Sequence, residues 1–387
     1  MPVINRIAGF ADDLAEWRRH LHMHPELSLE CHETAAFVVD RLTEFGVDEV
    51  HTGWAKTGVV AVINGQGDGP TTALRADMDA LPMAEKTGAP WASTIPGRMH
   101  ACGHDGHTTM LLGAARYLAE TRNFSGRVIL LFQPAEESIG GGRIMVEEGV
   151  MDRFNVDEVY ALHTTPFGEL GHFGTRSGGL MASVDDWTIT ISGKGGHAAY
   201  PHMCCDPIPA AVQIANGINS LKAREVSTFE PVVVSLTQFH AGSAPNVIPD
   251  IAELNGTVRA FSEDIRDEME RRITAIAKAQ EAAFGVEVEI DYDRSYPATI
   301  NHEAQTAKAA QIATDIAGEG MVDREISPEM GSEDFSYMLR ARPGAFLFLG
   351  QGLGPSVHHP EFDFNDEAAP IGASFFARLI ERNHPLG

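Results

Sequence analysis

The sequence predicts an α/β fold in which a central, mostly parallel sheet with helices on both faces is interrupted by an inserted α+β domain. Continuous apolar strands alternate with helical patterns, strict alternation replaces them near residue 182, and the helix–strand rhythm resumes after residue 296. Continuous apolar strands are typical of sheets covered on both faces, whereas alternating strands leave one face exposed. We therefore place a first domain at 1–181 and 296–387, and an inserted domain at 182–295.

The elements of the first domain are predicted in chain order from hydrophobic spacing. Apolar residues recur at helical intervals, which predicts helices over 7–22, 32–45 and 104–121. Short runs of mostly apolar residues predict buried strands at 59–63, 72–76, 128–132 and 159–163.

The inserted domain has a different pattern, beginning with the alternating strand 187–192. It continues with a helix over 206–223, strands over 231–239 and 250–261, a charged helix over 263–283 and a strand over 286–293. This strand-helix-strand-strand-helix-strand order predicts a ferredoxin-like sandwich.

Composition excludes several classes of protein. The chain has 387 residues, 29 Lys+Arg and 54 Asp+Glu, and its formal net charge of -25 disfavours nucleic acid and anionic membranes as partners. It lacks an apolar run of the roughly 18 residues that a membrane span needs, and its start lacks the apolar core of a signal peptide. Its four cysteines do not form a secreted disulfide framework. We expect a cytoplasmic protein with a small-molecule partner.

Residues 100–107 read His-Ala-Cys-Gly-His-Asp-Gly-His and form the most informative stretch. Cys102, His104, Asp105 and His107 carry thiolate, imidazole and carboxylate groups, which bind zinc, manganese, nickel or cobalt. The chain has no Cys-x-x-Cys pair of the kind that closes a structural zinc site. This cluster therefore predicts part of an open, catalytic metal site.

Further polar residues follow the predicted strands of the first domain. Asp77 and Asp79 come after one strand, Glu136 and Glu137 after another, and His163 ends a third. Because ligands bind at the carboxyl ends of strands in open α/β sheets, these groups are expected at one edge. An acidic residue after a single strand is often only a helix cap, but several together with the cysteine–histidine cluster indicate a shared metal site.

Nine short motifs, in order along nearly the whole chain, carry a family resemblance. The chain resembles the aminoacylase/carboxypeptidase family of co-catalytic metallopeptidases, and looks most like its branch of hippurate hydrolases, N-acyl-L-amino-acid amidohydrolases and plant auxin-conjugate amidohydrolases. The motifs are RRHLHMHPELS at 18–28, LRADMDALP at 74–82, MHACGHDGH at 99–107, FQPAEE at 132–137, LH at 162–163, GKGGHA at 193–198, APNVIP at 244–249, MGSEDF at 330–335 and VHHP at 357–360.

The resemblance implies a phosphorylase/hydrolase-like zinc-peptidase architecture with two divalent metal ions, Mn, Zn, Ni or Co, in each subunit. The implied ligands are Cys102, His104, Glu137, His163 and His358. The implied general base is Glu136. Asp79 would not bind the metals itself but would orient one of their ligands.

Two positions need comparison with the family pattern. The wider family has a His-x-Asp motif where this chain reads Asp77-Met78-Asp79, and the Cys102/His104 pair fits as this branch's substitute. Adjacent residues on an extended segment point to opposite sides, so only one of His358 and His359 can easily face the metals. The family pattern favours His358.

The resemblance also implies hydrolysis of the amide bond of N-acyl-L-amino acids, with a dipeptidase or carboxypeptidase as the alternative. In the inserted domain, His197 would stabilise the oxyanion, while Asn246 and Arg259 would hold the substrate's carboxylate. A homodimer through this domain is implied as well. A metal-free scaffold is disfavoured, because every implied ligand and the implied base are present.

Overall fold

A computed structural model describes residues 3–166 and 168–386. The chain divides into two compact units, the first made of Met1–Leu180, Ile300–Ser327 and Asp334–Gly387, the second of Met181–Thr299 and Pro328–Glu333. The domain boundary predicted at residue 296 assigns 328–333 to the first domain, whereas in the structure they belong to the second unit. These residues cluster with the second unit because the N–H of Ala182 lies within hydrogen-bond distance of the carbonyl oxygens of Glu329 and Gly331, each 3.0 Å away.

The α-helices, numbered in chain order, occupy the following ranges. They are α1 (Asn5–Ala8), α2 (Ala11–Met23), α3 (His32–Phe45), α4 (His104–Thr121), α5 (Gly141–Glu147), α6 (Val150–Arg153), α7 (Pro207–Arg224), α8 (Glu263–Phe284), α9 (Glu303–Ala317), α10 (Phe335–Ala341) and α11 (Ala368–Asn383). Short 3₁₀ turns lie at Pro201–Met203 and Glu319–Met321.

The strands are numbered in the same way. They are β1 (Glu49–Trp54), β2 (Gly58–Asn64), β3 (Thr71–Asp77), β4 (Arg127–Gln133), β5 (Glu158–Thr165), β6 (Phe173–Gly174), β7 (Gly178–Met181), β8 (Asp185–Ser192), β9 (Gly196–His197), β10 (Val232–Ala241), β11 (Val247–Ile248), β12 (Ile251–Ala260), β13 (Glu287–Arg294), β14 (Thr299–Asn301), β15 (Val322–Asp323) and β16 (Gly344–Gly350).

The first unit contains an eight-stranded sheet in the order β1-β2-β4-β3-β5-β16-β6-β15. Its central strands β4, β3, β5 and β16 pair in parallel, while β1, β2 and β6 add antiparallel pairings. β3 and β16 are buried along their whole length, and β4 is buried except at its first residue. A parallel sheet with buried strands must be covered on both faces, so the predicted α/β class is confirmed.

The second unit contains a four-stranded antiparallel sheet in the order β10-β12-β8-β13. Helices α7 and α8 pack on it, and the shared core includes Trp187, Ile189 and Ile191 of β8. These alternate with less buried residues, as the sequence pattern requires of a sheet with one covered face. The order of elements is that of the predicted ferredoxin-like sandwich. A separate two-stranded ribbon pairs β9 with β11.

Within the described ranges, no helix is both long and apolar enough to cross a membrane. The cytoplasmic location and the absence of a nucleic-acid partner stay predictions of the sequence.

Candidate active site

The ends of three neighbouring parallel strands carry polar side chains to one edge of the large sheet. β4, β3 and β5 are adjacent in that order, and both pairings are parallel. Asp77 ends β3 and Asp79 follows it, Glu136 and Glu137 follow β4, and His163 lies near the end of β5. Because parallel strands end at the same edge, side chains that are far apart in sequence become neighbours in space.

Five side chains that the resemblance implies as metal ligands lie together at this edge. Cys102, His104 and His163 form one group, and Cys102, Glu137 and His358 form a second; in each, the potential ligand atoms lie within 4.8 Å of one another. Cys102 Sγ is 3.4 Å from His163 Nε2. His358 Nε2 is 3.2 Å from Glu137 Oε1. Cys102 belongs to both groups.

Backbone carbonyls orient both buried imidazoles of the cluster. His104 Nδ1 donates to the carbonyl oxygen of Asp79 (2.8 Å), and His163 Nδ1 donates to that of Thr164 (2.6 Å). A carbonyl oxygen can only accept, so each ring carries a proton on Nδ1 and turns Nε2 towards the cluster. His104 Nε2 and Glu137 Oε1 are buried without a hydrogen-bond partner in residues 3–166 and 168–386. Such orphaned ligand atoms fit a bound cation.

Asp79 fixes the turn that carries the two adjacent glutamates. Its carboxylate oxygens accept hydrogen bonds from the backbone N–H groups of Glu136 (2.9 Å) and Glu137 (3.2 Å). Ala135, just before them, has a φ of 60°, a left-handed conformation that is uncommon for a residue with a side chain. A carboxylate oxygen of Glu136 lies within 4.8 Å of the ligand atoms of His104 and Glu137. Glu136 thus stands beside the two groups that share the cysteine, without belonging to either.

The carboxylates make the site strongly negative. Burial lowers the pKa of His104, but Asp77, Asp79 and Glu137 together raise it to about 10. Burial and the charge of Glu137 raise the pKa of the Cys102 thiol well above its usual value. The same negative field attracts divalent cations, which replace protons on sulfur and imidazole when they bind. The mixed thiolate, imidazole and carboxylate set therefore fits zinc, manganese, nickel or cobalt.

Two glycines in the ligand-rich stretch let the segment of His358 approach α4. A Cβ atom at Gly106 would lie 2.2 Å from the ring of Phe364, so only glycine allows this ring to pack on the helix. Gly103, the residue before α4, has a φ of 89°, which favours glycine. The N–H of His358 donates to the carbonyl oxygen of Ala101 (2.7 Å), which joins the segment to the same stretch.

The structure separates the roles of the two adjacent histidines. His358 Nε2 faces Glu137, whereas His359 Nδ1 accepts a hydrogen bond from the backbone N–H of Glu361 (3.1 Å). His358, rather than His359, is therefore the histidine at the ligand group.

Asp77 was expected from its position to lie at this edge of the sheet, but the sequence indicated no specific role for it. His107 Nδ1 donates to Asp77 Oδ1 (2.7 Å), and His107 Nε2 accepts from the N–H of Thr164 (2.9 Å). Both nitrogens of His107 are thus engaged by the protein. Asp77 Oδ2 binds Arg75 Nη1 (2.7 Å) and lies 3.7 Å from His104 Nε2. Its role could have been inferred from its position at the end of β3, where the wider family has a ligand histidine.

The three predicted substrate contacts lie in the second unit, in two places. His197 and Asn246 are exposed and adjacent, because β9 pairs with β11 and the N–H of Ala198 donates to the carbonyl oxygen of Asn246 (3.0 Å). Arg259 lies near the other end of β12, where its Nη1 donates to the carbonyl oxygen of Val258 (3.2 Å). The structure brings His197 and Asn246 together but not Arg259.

Comparisons with known proteins agree with the motif pattern. The peptidase family M20/M25/M40 matches residues 73–382. N-acetylcysteine deacetylase of Bacillus subtilis (strain 168) is 39% identical over 372 residues, covering 96% of this chain and 97% of that protein. Hippurate hydrolase of Campylobacter jejuni is 38% identical over 379 residues, covering 98% of each.

A solved structure also resembles this chain over nearly its whole length. A Bacillus subtilis protein described as a dinuclear metal binding peptidase of the M20 family superposes with a TM-score of 0.85 at 36% identity, covering 96% of this chain and 98% of that chain. The similarity of this structure and of the full-length relatives confirms the family resemblance that the nine motifs indicate. This chain belongs to the peptidase family M20/M25/M40 and is a hydrolase of amide bonds.

Proposed function

We propose that this enzyme hydrolyses the amide bond of N-acyl-L-amino acids, either N-acetyl or hippurate-like, and releases a carboxylic acid and a free amino acid. The observation that carries the proposal is that Cys102 belongs to two ligand groups, with the carboxylate of Glu136 beside them. His104 and His163 would complete one cation site with the thiolate, and Glu137 and His358 the other. Bound divalent cations would supply Lewis acidity, making water acidic and polarising the amide carbonyl.

Glu136 acts as the general base and then the general acid. Its carboxylate takes a proton from water while the water oxygen bonds to the amide carbon. The protonated carboxyl then gives this proton to the leaving nitrogen as the carbon–nitrogen bond breaks. Asp79 supports these steps by holding the N–H of Glu136, which keeps the base in place while its proton moves.

The proposed substrate class has two supports. Two full-length relatives are named N-acetylcysteine deacetylase and hippurate hydrolase, and both names describe cleavage of an acyl group from an amino acid. The second unit also offers Arg259, a half-buried cation suited to a free carboxylate. An N-acyl amino acid presents that carboxylate next to the amide that is cleaved.

A homodimer explains why the predicted substrate contacts lie apart. The eight residue-to-residue steps from Ile251 to Arg259 extend about 26 Å along a strand. His197 and Asn246 lie beyond the Ile251 end, since the N–H of Gly195 bonds the carboxylate of the preceding residue, Asp250 (2.8 Å). One small acyl amino acid cannot span this distance. We therefore propose that one protomer supplies Arg259 and its partner supplies the histidine and asparagine.

A substrate panel on enzyme loaded with manganese or zinc tests the proposed reaction. Hippurate, N-acetyl amino acids and dipeptides are compared by amine release. We expect turnover of the acyl amino acids, whereas cleavage of peptides alone would favour a dipeptidase or carboxypeptidase instead. The carboxylate contact is tested with Arg259→Gln: KM for hippurate should rise by about tenfold or more, with little change for the uncharged amide of hippurate.

Mixing two inactive variants tests the dimer. Glu136→Gln and His197→Ala should each be nearly inactive alone. If His197 serves the partner's site, a mixed dimer regains one intact site, and activity after exchange of subunits approaches about a quarter of wild type. A mixture that stays inactive despite verified subunit exchange would show that His197 serves its own chain.

A further inference from the structure

A buried arginine in α2 contacts the segments that carry two of the proposed metal ligands. Arg18 is fully buried, and its Nε donates to Asp366 Oδ1 (2.6 Å) while its Nη1 donates to Asp363 Oδ1 (2.8 Å). Nη1 also lies 3.8 Å from Asp105 Oδ2. Asp105 follows His104 directly in the first turn of α4. Asp363 and Asp366 belong to the segment that leads from His358 into α11.

The arginine lies on the buried face of its helix, which is apolar except for Arg18 and His22. Leu14, Trp17 and Leu21 are its buried neighbours, and they pack as the helical spacing requires. A charge at such a position costs desolvation energy, and an apolar residue of similar volume often packs at least as well. Stability alone therefore gives no reason for an arginine here. Its planar guanidinium can, however, hold carboxylates in fixed directions.

Two further side chains bind the carboxylates that Arg18 contacts, one at Asp105 and one at Asp363. His22, one turn after Arg18 in α2, has Nδ1 at 2.7 Å from Asp105 Oδ2 and Nε2 at 3.3 Å from Glu85 Oε1. Trp91 Nε1 donates to Asp363 Oδ2 (3.1 Å). Residues of α2 thus contact both the carboxylate that follows His104 and the carboxylates that follow His358.

We propose that Arg18 is a positioning residue that sets the spacing between the His104 end of α4 and the segment of His358, and thereby the affinity of the metal centre. The inference rests on the proposed function, since it takes these two histidines as ligands. His358 needs such support more than the other ligands do. It is exposed, with a φ of 63°, and it lies in a segment outside helix and strand.

The test replaces the Arg18 guanidinium, which contacts Asp363 and Asp366 in two directions, by a single ammonium group. In Arg18→Lys the charge remains, but one ammonium cannot reproduce the planar set of directions that holds both carboxylates. The control is Arg116→Lys, because Arg116 also joins α4 to α2, through Asp13 (2.6 Å), but lies three turns away from His104. Metal affinity is measured by competition with a chromophoric chelator for manganese and zinc, alongside kcat, KM and the unfolding midpoint.

We expect Arg18→Lys to bind at least one of the two ions at least tenfold more weakly. Its kcat should fall at limiting metal and recover with excess manganese, while KM changes less than twofold. Arg116→Lys should keep wild-type metal affinity. A merely structural role would lower the unfolding midpoint without this recovery. Metal affinity equal to wild type in folded Arg18→Lys would overturn the proposal.

A second variant covers the case in which Arg18→Lys does not fold. Asp363→Asn removes one partner from the partly exposed side of the contact, and should weaken metal binding in the same direction with a smaller loss of stability. Unchanged metal affinity in this variant would also overturn the proposal. If the wild-type protein itself binds no divalent ion, the proposed metal centre fails, and the role of Arg18 fails with it.

Discussion

The adjacent glutamates Glu136 and Glu137 have identical side chains but different surroundings. Both backbone N–H groups bond the carboxylate of Asp79, so neither residue can move without the other. Glu137 faces His358 and belongs to a ligand group, and its nearest histidines lower its pKa although burial acts in the opposite direction. Glu136 stands outside the two groups that share Cys102. In the proposed mechanism, Glu137 binds a cation and Glu136 moves the proton.

Glu136→Gln should separate these two roles. The amide keeps the size of the side chain but cannot accept a proton from water, so kcat should fall by about 10² to 10⁴. Metal content should stay near that of wild type, because Glu137 and the other ligands are unchanged. The matched control is Glu147→Gln, an exposed glutamate on the following helix. Near-normal turnover in Glu136→Gln, or loss of metal, would contradict the assignment.

At the scale of elements, hydrophobic spacing predicted most of the fold. The helix predicted over 104–121 coincides with α4, and the strand predicted over 72–76 lies within β3. The helix predicted over 7–22 is interrupted at Gly9 and Phe10 and forms α1 and α2. β1 was not predicted because it is a half-exposed strand with a mostly polar sequence. Spacing finds elements that bury an apolar face and misses those that do not.

The site was less predictable than the sheet. Residues at the ends of β3, β4 and β5 could be grouped from sequence, because parallel strands end at one edge. The approach of the His358 segment was implied by the family resemblance, but hydrophobic spacing and strand order do not predict it. It depends on the contact between Gly106 and the ring of Phe364, and nothing local in the chain indicates that these two residues meet.

Gly106→Ala tests this contact. The added Cβ would overlap the Phe364 ring, so the ring and its segment must move, at a cost of about 1–3 kcal/mol in the free energy of unfolding. Metal affinity should fall as well, since His358 belongs to the displaced segment. Gly354→Ala is the control, because a Cβ there meets no atom within 4 Å. Equal stability and metal affinity in the two variants would show that the contact does not place His358.

At the scale of the whole molecule, the acidic composition includes carboxylates that lie in the interior of the first unit, where they pair with buried cations. Asp105 is buried between Arg18 and His22, and Glu85 lies on the other side of His22. Burial lowers the pKa of His22, but the contacts with Asp105 and Glu85 raise it to about 9. The buried imidazole is therefore a cation at neutral pH, and folding depends on its charge.

Stability should consequently fall as the solution becomes more alkaline. The pKa of His22 is raised from 6.5 to about 9, so its contribution is fully present below pH 6.5 and is lost as pH rises through 9. The shift corresponds to about 3 kcal/mol in the free energy of unfolding. Urea unfolding of metal-free wild type and His22→Gln, each between pH 6 and 10, isolates this effect, because other titrating groups are common to both. The stability difference between the two proteins should shrink by about this amount over the range. A difference that is constant with pH would show that His22 is neutral in the folded protein.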